Sequence, residues 1–240
     1  MAFPSNVIRG DPGDQFDQTT TRNAGIALGT MMIFPDGRKF RYAQAGELLV
    51  VGETLQSPAL LGNQDMVTAT GTSGDTFISV TTDGTEAANF YQDGYIWINS
   101  GTNLGRIYQI SSHLLLTAGA GDIINIRDEN ITTTAADDTA SLVVNQHKNV
   151  ITMPATTETG MCVGVACEDI ASGSYGWVQT GGMCGVTVDS AIIEGGNIVG
   201  TSASAGRADI AGADLEPPIG ICAIGPNAGA DAGAVFLNLD

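Results

Sequence analysis

Short β-prone runs separated by glycine-rich turns recur along almost the whole chain, and no stretch carries an amphipathic helix of useful length. In the last third, runs at 161–167, 175–180, 184–188, 197–200, 220–224 and 234–239 return every 10 to 20 residues with glycine turns between them. That is the spacing of a sandwich or barrel. The expected class is therefore all-β, built from glycine-rich barrel or sandwich modules.

The segment 91–110 shows the local logic. Asp93-Gly94 leads into Tyr95-Ile96-Trp97-Ile98, a turn-rich stretch follows, and Arg106-Ile107-Tyr108-Gln109-Ile110 reads as the returning strand. Alternation puts Tyr95 and Trp97 on one face and Ile96 and Ile98 on the other, with Tyr108 and Ile110 sharing a face with Arg106. Apolar material on both faces suits a small barrel or sandwich better than an open sheet.

Residues 1–25 read as an extended N-terminal arm, mobile or ordered only against a partner, because Pro4, Gly10, Pro12 and Gly13 break any periodicity. Its acids Asp11, Asp14 and Asp17 lack the spacing of a calcium loop and read as solvated. From Gly25 the pattern turns to strands, with Pro35-Asp36-Gly37 as a turn. Leu48-Leu49-Val50-Val51, Leu114-Leu115-Leu116 and 123–126 are expected to be short buried strands, and 54–63 a linker. Residues 131–140 fit either a loop or one short helix. These readings divide the chain into residues 26–60 with 140–240 as a main β domain, and 61–139 as a small inserted or sequential one.

Charge narrows the partners. Nine Lys and Arg stand against 26 Asp and Glu, a formal net charge of −17, which is the wrong sign for gripping a phosphate backbone. No apolar run approaches the roughly 18 to 20 residues a bilayer span needs, so neither nucleic acid nor membrane is expected as a partner. No basic n-region or apolar h-region is visible at the start, which points to synthesis in a cytoplasm. The one basic cluster is Arg38, Lys39 and Arg41, on either a solvated strand or a contact to an acidic partner surface.

Candidate chemistries are sparse. Cys162 and Cys167 sit five apart in one expected strand and so face opposite ways, while Cys184 and Cys222 lie singly in apolar runs; all four read as buried free thiols. His113 and His147 stand outside any motif, and no nucleophile elbow or phosphate-binding loop is present. No catalytic residue, cofactor or metal is expected.

Four phrases carry a resemblance: 34–43 (Phe-Pro-Asp-Gly-Arg-Lys-Phe-Arg-Tyr-Ala), Asp93-Gly94-Tyr95-Ile96 with 105–110, 175–182 (Tyr-Gly-Trp-Val-Gln-Thr-Gly-Gly), and Ile219-Gly220-Ile221-Cys222-Ala223 with 234–239. Together they resemble virion structural proteins of tailed bacteriophages, marine ones in particular, of the head decoration or capsid cement type. That resemblance implies a non-enzymatic protein, often trimeric, that binds the major capsid protein on the outside of an assembled shell and stabilises it. A charge-poor, glycine-rich last third fits burial against identical copies. Other readings are a tail or head-fibre component, and a hydrolase acting on polysaccharide or peptidoglycan.

Overall fold

The computed structural model describes residues 7–59, 62–130, 133–136, 138–155, 157–200, 202–212, 218–226 and 231–240. With 44% strand and 1% helix, the chain is all-β. It forms two compact units, Met1–Ala59 with Gln146–Asp240, and Leu60–Asn145.

The first leg of unit 1 contributes β1 (Val7–Arg9), a 3-10 turn (Asp14–Phe16), β2 (Met31–Ile33), β3 (Lys39–Gln44) and β4 (Thr54–Gln56). Unit 2 contains β5 (Met66–Val67), β6 (Phe77–Thr81), β7 (Tyr95–Ser100), β8 (Ile107–His113), β9 (Gly121–Ile126) and β10 (Thr139–Val143). The return leg adds β11 (Ile151–Thr152), β12 (Cys162–Ala166), β13 (Tyr175–Thr187), β14 (Asn197–Val199), β15 (Asp209–Ile210), β16 (Pro218–Ile224) and β17 (Ala232–Asn238). Among the described residues no helix is long and apolar enough to cross a membrane.

Unit 2 is a nearly closed barrel with strand order β5-β10-β7-β8-β9-β6. Its seam is drawn together just past β5, where Thr68 bridges Val80 and the Ala69 N–H donates to the Ser79 carbonyl at 2.9 Å. Alternation fills the interior: Ile96 and Ile98 of β7, Tyr108 and Ile110 of β8, and Ala140 and Leu142 of β10 all point inward. Tyr95 and Ile107 face out. One buried carboxylate braces the turn before β7. Asp93, in the left-handed region at φ 64, receives a 2.7 Å bond from the Arg127 guanidinium, and its carbonyl accepts from the Asn145 amide at 3.0 Å.

In unit 1 the sheet path is β1-β2-β3-β13-β17-β16-β14-β15, with β12 pairing β13 and β4, and β11 pairing β4. The central element is β13. Its first half pairs β3 from Tyr175↔Gln44 to Gly181↔Lys39, and its second half pairs β17 from Gly181↔Asn238 to Thr187↔Ala232. The sequence pattern expects two strands here, broken at Gly181-Gly182. The structure instead carries one strand through the pair. Glycine is required at 182 because φ is 81 and a Cβ there would sit 3.0 Å from the Arg38 Cα.

Several expectations are corrected. From Val7 on, the arm is ordered by its own chain: β1 pairs β2 in parallel, Gln15 is buried, and Thr19 bridges Tyr175. Residues 1–6 lie outside the described residues. The 54–63 linker begins instead with the fully buried β4, whose Thr54 hydroxyl donates to the Gly200 carbonyl and whose Gln56 amide donates to Thr159. Leu60 and Leu61 lie outside the described residues. Leu48–Val51 is no buried strand, since only Leu49 is inside, bridged to Ile170. In 114–116 only Leu116 is buried, and Leu114 is 82% exposed. Of 123–126, which is strand in β9, Ile123 is exposed. Apolar composition alone had suggested burial at each of these sites. The alternate residues of an extended segment face outward whatever their polarity. Thr139–Val143 pairs β7 and β5 inside the barrel, so it belongs to unit 2. Of the undecided stretch, Ile131, Thr132 and Asp137 lie outside the described residues, and no helix occurs in the rest.

Candidate interaction surface

The basic cluster folds back on its own chain. Arg38 pairs with Asp36 at 2.7 Å across the Pro-Asp-Gly turn, and its guanidinium carbon lies 5.0 Å from the Phe34 ring centre. Lys39 and Arg41 lie on one face of β3, as alternation requires, and both reach Asp240. The Lys39 ammonium donates to the Asp240 main-chain oxygen at 2.8 Å. Arg41 grips the carboxylate with two bonds, 3.0 Å from Nε and 2.7 Å from Nη2, while Nη1 donates to the Gly29 carbonyl at 2.7 Å. The Thr180 hydroxyl adds a 2.6 Å bond. Desolvation pulls the Asp240 carboxyl upward, but the bonds from Arg41 and Thr180 and the nearby Arg41 and His147 outweigh it and hold its pKa below the usual value. These cations tie the last residue of the sequence to the sheet. A solvated strand face, one of the two expected readings, leaves out this contact because Asp240 is about two hundred residues away.

Burial governs the thiols and histidines. Burial pushes Cys162, Cys167 and Cys184 up to about 12, and raises Cys222 as well, so their thiolates are not accessible near neutral pH. All four cysteines are free, but against expectation only Cys184 and Cys222 are fully buried, while Cys162 and Cys167 are partly exposed. Among the described residues, no three His, Cys, Asp or Glu side chains are placed to hold a metal ion. His147 is pushed down to about 4 by burial, then by the Arg41 charge, with Asp240 offsetting part of the effect. His113 is held as a structural acceptor: its Nε2 takes the Tyr91 N–H at 2.9 Å, and its Nδ1 lies 2.6 Å from the Leu114 carbonyl.

The feature that sequence reading missed is the outer face of β13, β17 and β16. Register places Met183 opposite Phe236 and Phe236 opposite Ile221, in one row across three strands. All three are about half exposed, at 47%, 52% and 50%. The next row, Cys184, Val235 and Cys222, points into the core. A bulge between Cys222 and Ile224 then places Ile224 opposite Ala234, where it too is exposed. Gly185, opposite Ala234 on the other side, completes an uncharged block on a chain of net charge −17. Covering the exposed half of each large side chain would yield about 1 kcal/mol per residue. The alternation in Gly-Met-Cys-Gly-Val and Ala-Val-Phe-Leu was legible. The row was not, because it depends on the register between three separate segments, with Met183 and Phe236 about fifty residues apart and Ile221 and Phe236 about fifteen.

No known family model matches the chain, and no curated protein matches it.

Proposed function

We propose that this chain is a non-enzymatic structural protein of a tailed-phage virion that decorates the outer surface of the capsid, bound to the major capsid protein and associated with copies of itself as a trimer. The observation that carries the reading is the uncharged Met183–Phe236–Ile221 row. On so acidic a chain, copies repel one another over most of their surface, and a charge-free apolar face is where like-charged copies can meet. Acidity also suits the outside of a DNA-filled shell, and rigid β modules suit a static lattice role.

The test is solution mass by light scattering at two concentrations, followed by co-sedimentation with shells of the cognate major capsid protein. The wild type is expected near three times 24.6 kDa and to pellet with shells. Phe236→Asp, which puts a carboxylate in the centre of the row, is expected to run as a monomer with an unchanged β circular-dichroism spectrum. A wild type that stays monomeric and remains in the supernatant when the shells pellet overturns the proposal.

A further inference from the structure

A second exposed apolar feature lies in the loop between β3 and β4. Residues 46–52 are zipped against 166–173 of the same unit. The Ser172 hydroxyl donates to the Gly46 carbonyl at 3.0 Å, Leu49 and Ile170 exchange two main-chain bonds of 2.9 Å, and the Gly52 N–H donates to the Ala166 carbonyl at 2.8 Å. Leu49 is thereby buried, so its neighbours Leu48 and Val50 project the other way. A tight turn follows, closed by the Glu53 N–H on the Val50 carbonyl with Gly52 at φ 83, and it holds Val51 out as well. Leu48 and Val51 are 57% and 51% exposed. An aliphatic tip held this firmly by main-chain bonds loses little conformational entropy on docking.

Acids stand on both sides of the tip. Asp169 accepts the Val51 N–H at 2.9 Å. Glu47 and Glu53 converge on Thr152, accepting from its N–H at 2.7 Å and from its hydroxyl at 3.3 Å. We propose that the Leu48–Val50–Val51 tip with its Glu47, Glu53 and Asp169 rim is a docking knob for a different protein, one presenting an apolar socket edged by arginine or lysine. A second copy of this chain is a poor fit to that rim. It carries nine Lys and Arg against 26 Asp and Glu, and six of the nine, Arg22, Arg38, Lys39, Arg41, Arg127 and Arg207, are bonded to oxygens of their own chain. An anionic lipid surface would be repelled. The knob is distinct from the Met183–Phe236–Ile221 row and does not rest on the capsid reading.

The full chain is tested on three matrices: octyl-agarose (aliphatic only), aminoethyl-agarose (cationic only) and octylamine-agarose (both). At about 0.15 M salt, where the Debye length is ~8 Å, the wild type is expected to bind octylamine-agarose at least about tenfold more tightly than either single-chemistry matrix. L48S/V50S/V51S is expected to lose that excess while keeping wild-type retention on aminoethyl-agarose. E47Q/E53Q is expected to lose it while keeping retention on octyl-agarose. F236S serves as the control for the other apolar face and is expected to keep the excess. Retention of the triple variant equal to wild type, or loss of the excess in F236S, overturns the knob. A change in solution mass in L48S/V50S/V51S also overturns it, in favour of a self-contact. Thermal melting of every variant separates lost docking from lost folding.

Discussion

Acid should unfold unit 1 through His147. The ring is buried beside Arg41, and the folded chain resists protonating it down to about pH 4, against an ordinary value of 6.5. Between those values the unfolded chain binds a proton that the folded chain refuses, so stability falls as pH drops through the window and levels off below it. At 1.36 kcal/mol per pH unit the full effect is about 3 kcal/mol, of which about 2 kcal/mol is already lost by pH 5. The Asp240 carboxyl, held below 3.8, contributes stability that is lost only at still lower pH, so the two effects separate. Trp177 is buried in unit 1 and Trp97 lies in unit 2, so Trp97→Phe leaves a fluorophore that reports on the unit containing His147. Urea unfolding of that background should show its midpoint falling by about 1 M from pH 7 to pH 5, taking a denaturant slope of about 2 kcal/mol/M. Adding His147→Gln sets a new stability at pH 7 but removes the slope, so the two curves converge or cross towards pH 5. Parallel curves across the window would refute the reasoning, since they would mean that the ring takes its proton equally well in both states.

Two further outcomes follow from the backbone. Asp93→Asn, which tolerates the left-handed conformation but loses the charge facing Arg127, should destabilise unit 2 by about 1–2 kcal/mol, and Asp93→Ala by about 3 kcal/mol, read by Trp97 fluorescence in urea in a Trp177→Phe background. Gly182→Ala should cost at least about 2 kcal/mol, because φ is 81 and the Arg38 backbone stands in the way, whereas Gly185→Ala, with open space at its Cβ, should change the melting temperature little.

The residues placed rightly and wrongly show where sequence reading stops. In the barrel, the hairpin faces were legible: Ile96, Ile98, Tyr108 and Ile110 are inside because side chains of a strand alternate, a rule that operates within each segment. Leu48, Leu114 and Ile123 were misplaced inside because hydrophobicity was read without that face rule, and Thr54–Gln56 was misplaced outside because a central strand can bury polar side chains once partners elsewhere in the chain satisfy them. Both kinds of error concern what a residue meets, as distinct from what it is.

By itself, the sequence determined the all-β class, the Pro35-Asp36-Gly37 turn, the acidity and the alternation along each strand, all of which are set by local propensity and composition. Tertiary structure alone decided the rest. It joined 175–180 to 184–188 as one strand, fastened Asp240 to Lys39 and Arg41, and lined up Met183, Phe236 and Ile221 in a row. Each of these depends on the register between distant segments. Register is chosen by the combined burial of many residues at once, and a slip of one residue would exchange the Met183–Phe236–Ile221 row for the cysteine-bearing row beneath it.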